Sequence, residues 1–316
     1  MPAKPPSASV QATGVSHWAA AAARAKYAQT YDAAMGLWPA PVKRRFVTTP
    51  FGEVHCLESG APESEAVILL PAAALGAIQW YPQAAALGSK YRVLAIDLLG
   101  DIGLSTQARP IRSRIDAADW IAAFLDALEI GRAVFIGSSF GGFLAANFAA
   151  HSAQRVSALG LIAPAATITP LALSAELMIR FGNLVPFPAS VRPALRAMLN
   201  DVLPDMRLVA LMESGVAGFR YDRSGVFPVA LPVRDLNAIE APTLVVIGGR
   251  ERIYPARRAR EHTQAKLPRA HLAFLDGVGH LPNLECPQEL NAVLHTFLTT
   301  LAGQHDIAAP RTEAGP

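Results

Sequence analysis

Long apolar runs are what this sequence most plainly lacks. Hydrophobic residues fill 52% of its 316 positions. Alanine supplies much of that, and no uninterrupted stretch reaches the roughly 18 residues a membrane-spanning helix needs. The apolar stretch opening at Trp18 is cut by Arg24 and Lys26, too early for a secretory signal. A cytoplasmic protein without a membrane span is the expectation. Cysteine is equally scarce, with only Cys56 and Cys286, far apart and without metal-ligand spacing. That excludes a disulfide framework and predicts buried thiols in a reduced compartment. Charge is sparse too: Asp, Glu, Lys and Arg make up 17%, and the formal net charge is +3. Basic residues cluster only at Lys43-Arg44-Arg45 and at Arg257, Arg258 and Arg260, with no aromatic residues interleaved. Such clusters read as solvated surface, and no nucleic-acid partner is expected.

What remains suits one large α/β domain with room for an inserted subdomain. Residues 1–14 are rich in Pro, Ala and Ser and read as disordered. An alanine-rich stretch over 16–36 predicts a helix, which Pro39 and Pro41 end. Residues 45–49 and 53–58 predict antiparallel strands joined at Pro50-Phe51-Gly52. Strands then alternate with helices. Strands are expected at 66–70, 91–97, in the apolar run from Val134, and at 156–163, 243–247 and 270–275. Helices are expected at 78–87, at 114–128 with Gly131 as its cap, after Ser139, and at 255–266 and 288–301. Between Pro164 and Glu240 prolines multiply and amphipathic pieces appear at 175–181 and 191–199, without strand alternation. An inserted helical cap over 164–240 is the simplest account. The core is then 15–163 with 241–302, and the tail 303–316 reads as disordered. Eight strands in this order demand a mostly parallel sheet with helices on both faces and right-handed crossovers. Sites in such sheets form beyond the carboxyl ends of strands.

The run Val134-Phe135-Ile136-Gly137-Ser138-Ser139-Phe140-Gly141-Gly142 marks one such end. An apolar strand meets a sharp turn, and a helix follows without a break. Small residues two before and two after Ser139 leave room for a tight turn that pushes its hydroxyl outward, beside a helix N-terminus that favours negative charge. Ser139 is the candidate nucleophile; the alternative is a loop serine in a Gly-rich turn.

A serine hydroxyl needs a base, and histidine is poised for that near neutral pH. Of eight histidines, only His280 sits in a glycine-rich loop just after a strand, within Asp276-Gly277-Val278-Gly279-His280. His151 lies near the far end of the helix after Ser139, His262 and His295 fall on helices, and His17 and His305 lie near the termini. The base in turn needs a carboxylate to orient it. Glu251 follows the penultimate strand and lies between serine and histidine, although Arg250 and Arg252 beside it leave a surface ion pair as the alternative. Asp276 is too close to His280 along the chain, and Asp222 and Asp235 fall in or beside the cap. An oxyanion would need two backbone N–H donors: Phe140, which follows the nucleophile, and Ala73, in the small-residue loop after strand 66–70. Ala72, Ser138 and Leu281, which adjoin these groups, are expected to contact substrate. Met178, Phe181, Phe187, Met198, Met206, Met212, Phe219 and Phe227 would line an apolar acyl pocket or simply fill the cap's core.

With these residues in place, the chain resembles the α/β-hydrolase superfamily over 44–301. Gly137-Ser138-Ser139-Phe140-Gly141-Gly142 is similar to its nucleophile turn, and Gly277-Val278-Gly279-His280 to its histidine loop. Asp97-Leu98-Leu99-Gly100-Asp101-Ile102-Gly103-Leu104-Ser105 resembles a further stretch of the family. That segment, Leu37-Trp38-Pro39 and Glu251 in the acid position look like a bacterial carboxylesterase-like subgroup. The resemblance implies serine-dependent hydrolysis of a small-molecule ester through an acyl-enzyme, with no metal or organic cofactor, and is compatible with a homodimer. Lactone, amide or carbon–carbon hydrolysis, acyl transfer, or non-catalytic ligand binding are the alternatives. One departure stands out: where many members carry His-Gly at the oxyanion loop, this chain has Pro71-Ala72, and alanine restricts φ where glycine would not.

Overall fold

The computed structural model describes residues 14–39, 41–182, 188–222 and 224–308. The main strands, in chain order, are β1 (Lys43–Thr49), β2 (Gly52–Ser59), β3 (Ala66–Leu70), β4 (Arg92–Ile96), β5 (Ala133–Ser138), β6 (Val156–Ile162), β7 (Thr243–Gly248) and β8 (His271–Leu275). They lie in the order β1-β2-β4-β3-β5-β6-β7-β8. Pairs β1/β2 and β2/β4 are antiparallel, and every pair from β4 onward is parallel. The expected eight strands are joined by a ninth, Thr106–Gln107, which pairs with the start of β2.

Strands β3 and β5 are buried at every residue, as continuous apolar runs in a sheet covered on both faces should be. Successive side chains alternate between two separate cores. Ile68, Leu70, Phe135 and Val245 pack with helices α3 (Arg114–Ala127), α4 (Phe140–His151) and α9 (Ala256–Lys266). Val67, Leu69, Val134 and Val246 pack with α1 (Ala21–Ala34), α2 (Tyr81–Leu87), α7 (Met206–Gly218), the short α10 (Pro282–Glu285) and α11 (Pro287–Ala308). Truncating a fully buried ring such as Phe135 to alanine would cost about 3–5 kcal/mol.

Three helix ends depart from expectation. α3 starts with a reciprocal cap: Asp116 N–H donates to Ser113 Oγ and Ser113 N–H to the Asp116 carboxylate, both at 3.0 Å. It is closed not by Gly131 but by Glu129, whose φ is 54°. Ile130 N–H donates back to Leu125 O and Glu129 N–H to Asp126 O, a Schellman closure that ends the helix earlier. Helix α1 begins at Ala21 rather than at 16, because His17–Trp18 pairs as a short strand with Phe219–Arg220. Trp18 packs there at a tilt on Tyr27 and edge-on against Phe219, with ring centroids 4.8 and 5.2 Å away, and this packing overrides alanine's helical preference. Helix α11 continues through Gly303 to Ala308. Of the expected disordered segments 1–14 and 303–316, residues 1–13 and 309–316 lie outside the described residues.

The stretch 164–240 carries α5 (Leu173–Gly182), α6 (Val191–Met198), α7 and α8 (Val233–Asn237), plus the short strand at Phe219. Asp205 caps α7 by accepting from Arg207 N–H at 2.9 Å. Both cysteines are free; Cys56 is buried, but Cys286, between α10 and α11, is only half-buried, against expectation. Among the described residues no helix is long and apolar enough to cross a membrane.

Candidate active site

Ser139 stands between β5 and α4 with φ 51° and ψ −114°, a backbone conformation that costs an ordinary residue on the order of 1–3 kcal/mol. The surroundings hold it there. Ser139 N–H donates to Ile162 O at 2.9 Å, and Ser139 O accepts from Phe143 and Ala165 N–H at 3.1 and 3.0 Å. Gly137 and Gly141 are the small residues this turn requires. A Cβ on Gly137 would lie 2.2 Å from Gly141 O, and one on Gly141 2.1 Å from Leu70 O.

Three distant loops converge on the turn. The Ser139 hydroxyl donates to His280 Nε2 at 2.7 Å, and His280 Nδ1–H donates to Glu251 Oε2 at 2.6 Å. The other carboxylate oxygen, Oε1, accepts Ile253 N–H at 2.7 Å. With Nδ1 donating to the carboxylate, Nε2 is left as the acceptor the hydroxyl needs. The Glu251 carboxylate has no exposed surface, and Arg250, Arg252 and Asp276 point to solvent, so the surface ion-pair reading of Glu251 does not hold. The loops bearing acid and base are tied together, Gly249 N–H to Leu275 O and Arg250 N–H to Val278 O, both at 2.8 Å. From the other side, His280 N–H donates to Met198 O at the end of α6 at 2.8 Å. Asn200 Nδ2 donates to Gly277 O at 3.0 Å and to Glu285 Oε1 at 2.5 Å, and Glu285 Oε2 accepts Gly279 N–H at 2.7 Å.

The candidate oxyanion donors also lie here. Phe140 is the first residue of α4, so its N–H has no acceptor within the helix. Around Ala73 the neighbouring amides are occupied: Ala72 N–H donates to Gln79 Oε1 and Ala74 N–H to Asp101 Oδ2, each at 2.9 Å. The loop turns left-handed at Ala74 and Gly76, both with φ 64°, and not at Ala72. Pro71-Ala72 in place of His-Gly therefore imposes no φ penalty at Ala72.

Ser139, Phe140, Ala72, Ala73, His280 and Leu281 border one cavity of about 540 Å³. Its walls are largely apolar, with Trp120, Leu144, Met198, Met212, Phe227 and Ile253, while Ser16, Asp101, Gln107 and Tyr221 add polar groups. Ser138 does not border it, contrary to expectation. Successive strand residues face opposite ways, so its side chain is fully buried and reaches Asn283 Oδ1 at 3.5 Å. Met206 is exposed, and Phe219 is buried against Trp18, so neither lines the cavity. The side chains of Met178 and Phe181, and Phe187 altogether, lie outside the described residues.

Two features escaped the sequence reading. Tyr254 sets its ring edge-on to His280 at 6.2 Å; burial raises its phenol pKa, with the Glu251 carboxylate adding to the effect. His55 and Asp97 form a second buried pair, Nδ1 to Oδ2 at 2.9 Å, with no hydroxyl nucleophile on it. Asp97 instead braces two loops by accepting Ala77 and Leu104 N–H at 2.7 and 2.9 Å. Residues 54–59 are buried without alternation, so no local pattern singled His55 out. Among the described residues no group of three or more His, Cys, Asp or Glu is placed to hold a metal ion.

Comparison with known proteins shows the family. Residues 67–293 match the model of the alpha/beta hydrolase family. The chain is 26% identical over 285 residues to the "Uncharacterized carboxylesterase nap" of Bacillus subtilis (strain 168), covering 88% of this chain and 94% of the relative. It is 30% identical over 229 residues to a 2-hydroxymuconate semialdehyde hydrolase of Pseudomonas putida, covering 68% and 79%. Its fold superposes on the crystal structure of naproxen esterase (carboxylesterase NP) from Bacillus subtilis with a TM-score of 0.81 at 28% identity, over 87% of this chain and 97% of that one. The family model spans more than half of the sequence, and the strands and helices superpose on a solved relative: the chain belongs to the alpha/beta hydrolase family.

Proposed function

We propose that this carboxylesterase-like hydrolase cleaves carboxylic esters through an acyl-enzyme on Ser139. The observation that carries the reading is the unbroken hydrogen-bonded chain from the Ser139 hydroxyl through His280 to Glu251, at 2.7 and 2.6 Å, opening on an apolar cavity. Ser139 Oγ attacks the ester carbonyl carbon while its proton passes to His280 Nε2. Glu251 stabilises the imidazolium and keeps Nδ1 as a donor. The carbonyl oxygen, now anionic, takes hydrogen bonds from the N–H groups of Phe140 and Ala73. Collapse of this intermediate breaks the bond to the alkoxy oxygen, which leaves as the alcohol with the proton from His280. Water, deprotonated by the same imidazole, then releases the acid and restores the hydroxyl. A cavity of about 540 Å³ with mostly apolar walls suits a medium-sized acyl or aryl group. The helices of 164–240 act as the cap that shapes it.

The identity to a 2-hydroxymuconate semialdehyde hydrolase favours a second reading, in which the same three residues hydrolyse a carbon–carbon bond next to a carbonyl. Both are tested together. Ser139→Ala is expected to abolish turnover of short p-nitrophenyl esters, and a fluorophosphonate should label only the wild type. Full activity in Ser139→Ala would remove the assignment. A panel of esters, lactones, amides and vinylogous diketones, assayed in parallel, separates the two readings by which class is turned over fastest.

A further inference from the structure

The amide of Ala73 lies between two pinned neighbours, and the pins differ in kind. Ala72 N–H is held by Gln79 Oε1 at 2.9 Å, a fully buried side chain on the turn that follows the same loop. Ala74 N–H is held by Asp101 Oδ2, also at 2.9 Å. Asp101 is itself buried, and its other oxygen accepts Ile102 N–H at 2.7 Å and the Tyr221 hydroxyl at 2.6 Å. Tyr221 belongs to the 164–240 stretch, between α7 and α8. A continuous path of hydrogen bonds therefore runs from the cap, through one carboxylate, to the residue after Ala73. Ala74 also takes φ 64°, a region that alanine avoids, so without an acceptor for its N–H it has a reason to relax. Relaxation would rotate the peptide units on either side of Ala74 and, through the backbone of Ala73, shift the unit that carries the Ala73 N–H.

We propose that Asp101 and Tyr221 are positioning residues for the Ala73 oxyanion donor, by which the cap helps to set the geometry of catalysis. The proposal rests on the reading of Ser139 as the nucleophile of an ester hydrolase. Asp101→Asn breaks the clasp. With its one acceptor oxygen on Ile102 N–H and the Tyr221 hydroxyl, its amide nitrogen meets Ala74 N–H, donor against donor; turned over, the nitrogen meets Ile102 N–H instead, so the Ala74–Asp101–Ile102 link is lost in either orientation. Tyr221→Phe removes only the hydroxyl and leaves the carboxylate on Ala74.

The experiment measures kcat and KM for a p-nitrophenyl ester alongside Ki for an aryl trifluoromethyl ketone. Ser139 Oγ adds to that ketone's carbonyl carbon, its proton goes to His280, and the product is a hemiketal oxyanion. Complete loss of an oxyanion donor lowers kcat by about 10²–10³-fold. Displacing one is expected to lower it by about 10–100-fold in Asp101→Asn and about 3–10-fold in Tyr221→Phe, with KM within about twofold. Ki should rise by the same factor as kcat falls, which a merely structural role would not produce. If Asp101→Asn fails to fold, Tyr221→Phe carries the test alone. Unchanged kcat and Ki in these variants, or a change in KM only, overturns the proposal while a dead Ser139→Ala control leaves the hydrolase reading standing. Full activity of Ser139→Ala in the same assay would instead sink that reading, and this inference with it.

Discussion

Replacing Glu251 by glutamine changes one atom and removes one charge, and the structure says what each change should do. Both carboxylate oxygens are in use: Oε2 accepts His280 Nδ1–H at 2.6 Å and Oε1 accepts Ile253 N–H at 2.7 Å. An amide has one acceptor, so it must leave one of these donors facing an NH₂ group. If the oxygen stays on Ile253, the NH₂ turns toward His280 and favours the tautomer in which Nε2 carries the proton and cannot accept from Ser139. If it stays on His280, orientation survives but the charge is gone. With the charge centres about 4 Å apart and an effective dielectric of about 20, the carboxylate stabilises an imidazolium by about 4 kcal/mol. That is about a thousandfold in rate. Glu251→Gln is therefore expected to lower kcat for a p-nitrophenyl ester by about 10³-fold with KM little changed. Glu251→Asp keeps the charge on a shorter arm, and should fall in between. Asp276→Asn, at an exposed position on the histidine loop, should stay within about twofold of wild type, in line with other surface changes. A Glu251→Gln enzyme within about threefold of wild type would refute the role of this carboxylate, as would equal damage from Asp276→Asn.

Further expectations follow from other parts of the molecule. A Cβ on Gly279 would lie 2.3 Å from Met198 O, so Gly279→Ala must push the histidine loop off α6. Misplacement on this scale can cost about 10²-fold in kcat, and a folded Gly279→Ala enzyme with wild-type kcat would contradict the geometry. The hydrogen bond from Arg207 pulls the Asp205 carboxyl down to about 2, below the usual carboxylate range. A lowered folded pKa means a contribution fully present above the unfolded value and lost as pH falls through the folded one. Asp205→Ala should accordingly cost about 1 kcal/mol at pH 7 through loss of the α7 cap. Urea unfolding near pH 2 should find that difference reduced; a gap of the same size there would be evidence against the capping carboxylate. Burial pushes the Cys56 thiol up to about 12 and the Cys286 thiol up to about 11. Both should react slowly with a disulfide reagent at pH 8 until the protein is unfolded, and rapid labelling of the native chain would disprove it.

Much of the sheet was legible because fully buried strands are written in the sequence as short apolar runs. Ala66–Leu70 was readable to the residue, and the hairpin around Pro50-Phe51-Gly52 was marked by its turn. Expectation failed at Trp18, where tertiary contacts outvoted local preference, and at Gly131 and Ser138, where finer local geometry did. Alanine-rich sequence argued for helix from residue 16, but Trp18 is drawn into a ring cluster with Phe219, about 200 positions away in the chain, and its backbone pairs as a strand instead. Gly131 looked like a cap, yet Glu129 takes the left-handed position because Ile130 N–H reaches Leu125 O from there. Ser138 looked like a neighbour of the substrate, but one step along a strand turns a side chain to the opposite face.

By itself the sequence determined the residue types and their order: an alcohol in a glycine-flanked turn, then a carboxylate, then an imidazole, each just past a strand. Those follow from local sterics and from the alternation of apolar runs, which act over a few residues. Only the tertiary structure decided that the Ala72 and Ala74 amides are held by Gln79 and Asp101, that Asp101 is gripped in turn by Tyr221, and that α6 holds the backbone of His280. These are contacts between segments far apart in the chain, and no local pattern encodes them. They depend on how two packed faces of one sheet bring loops together, and that is settled by burial and hydrogen-bond satisfaction over the whole chain.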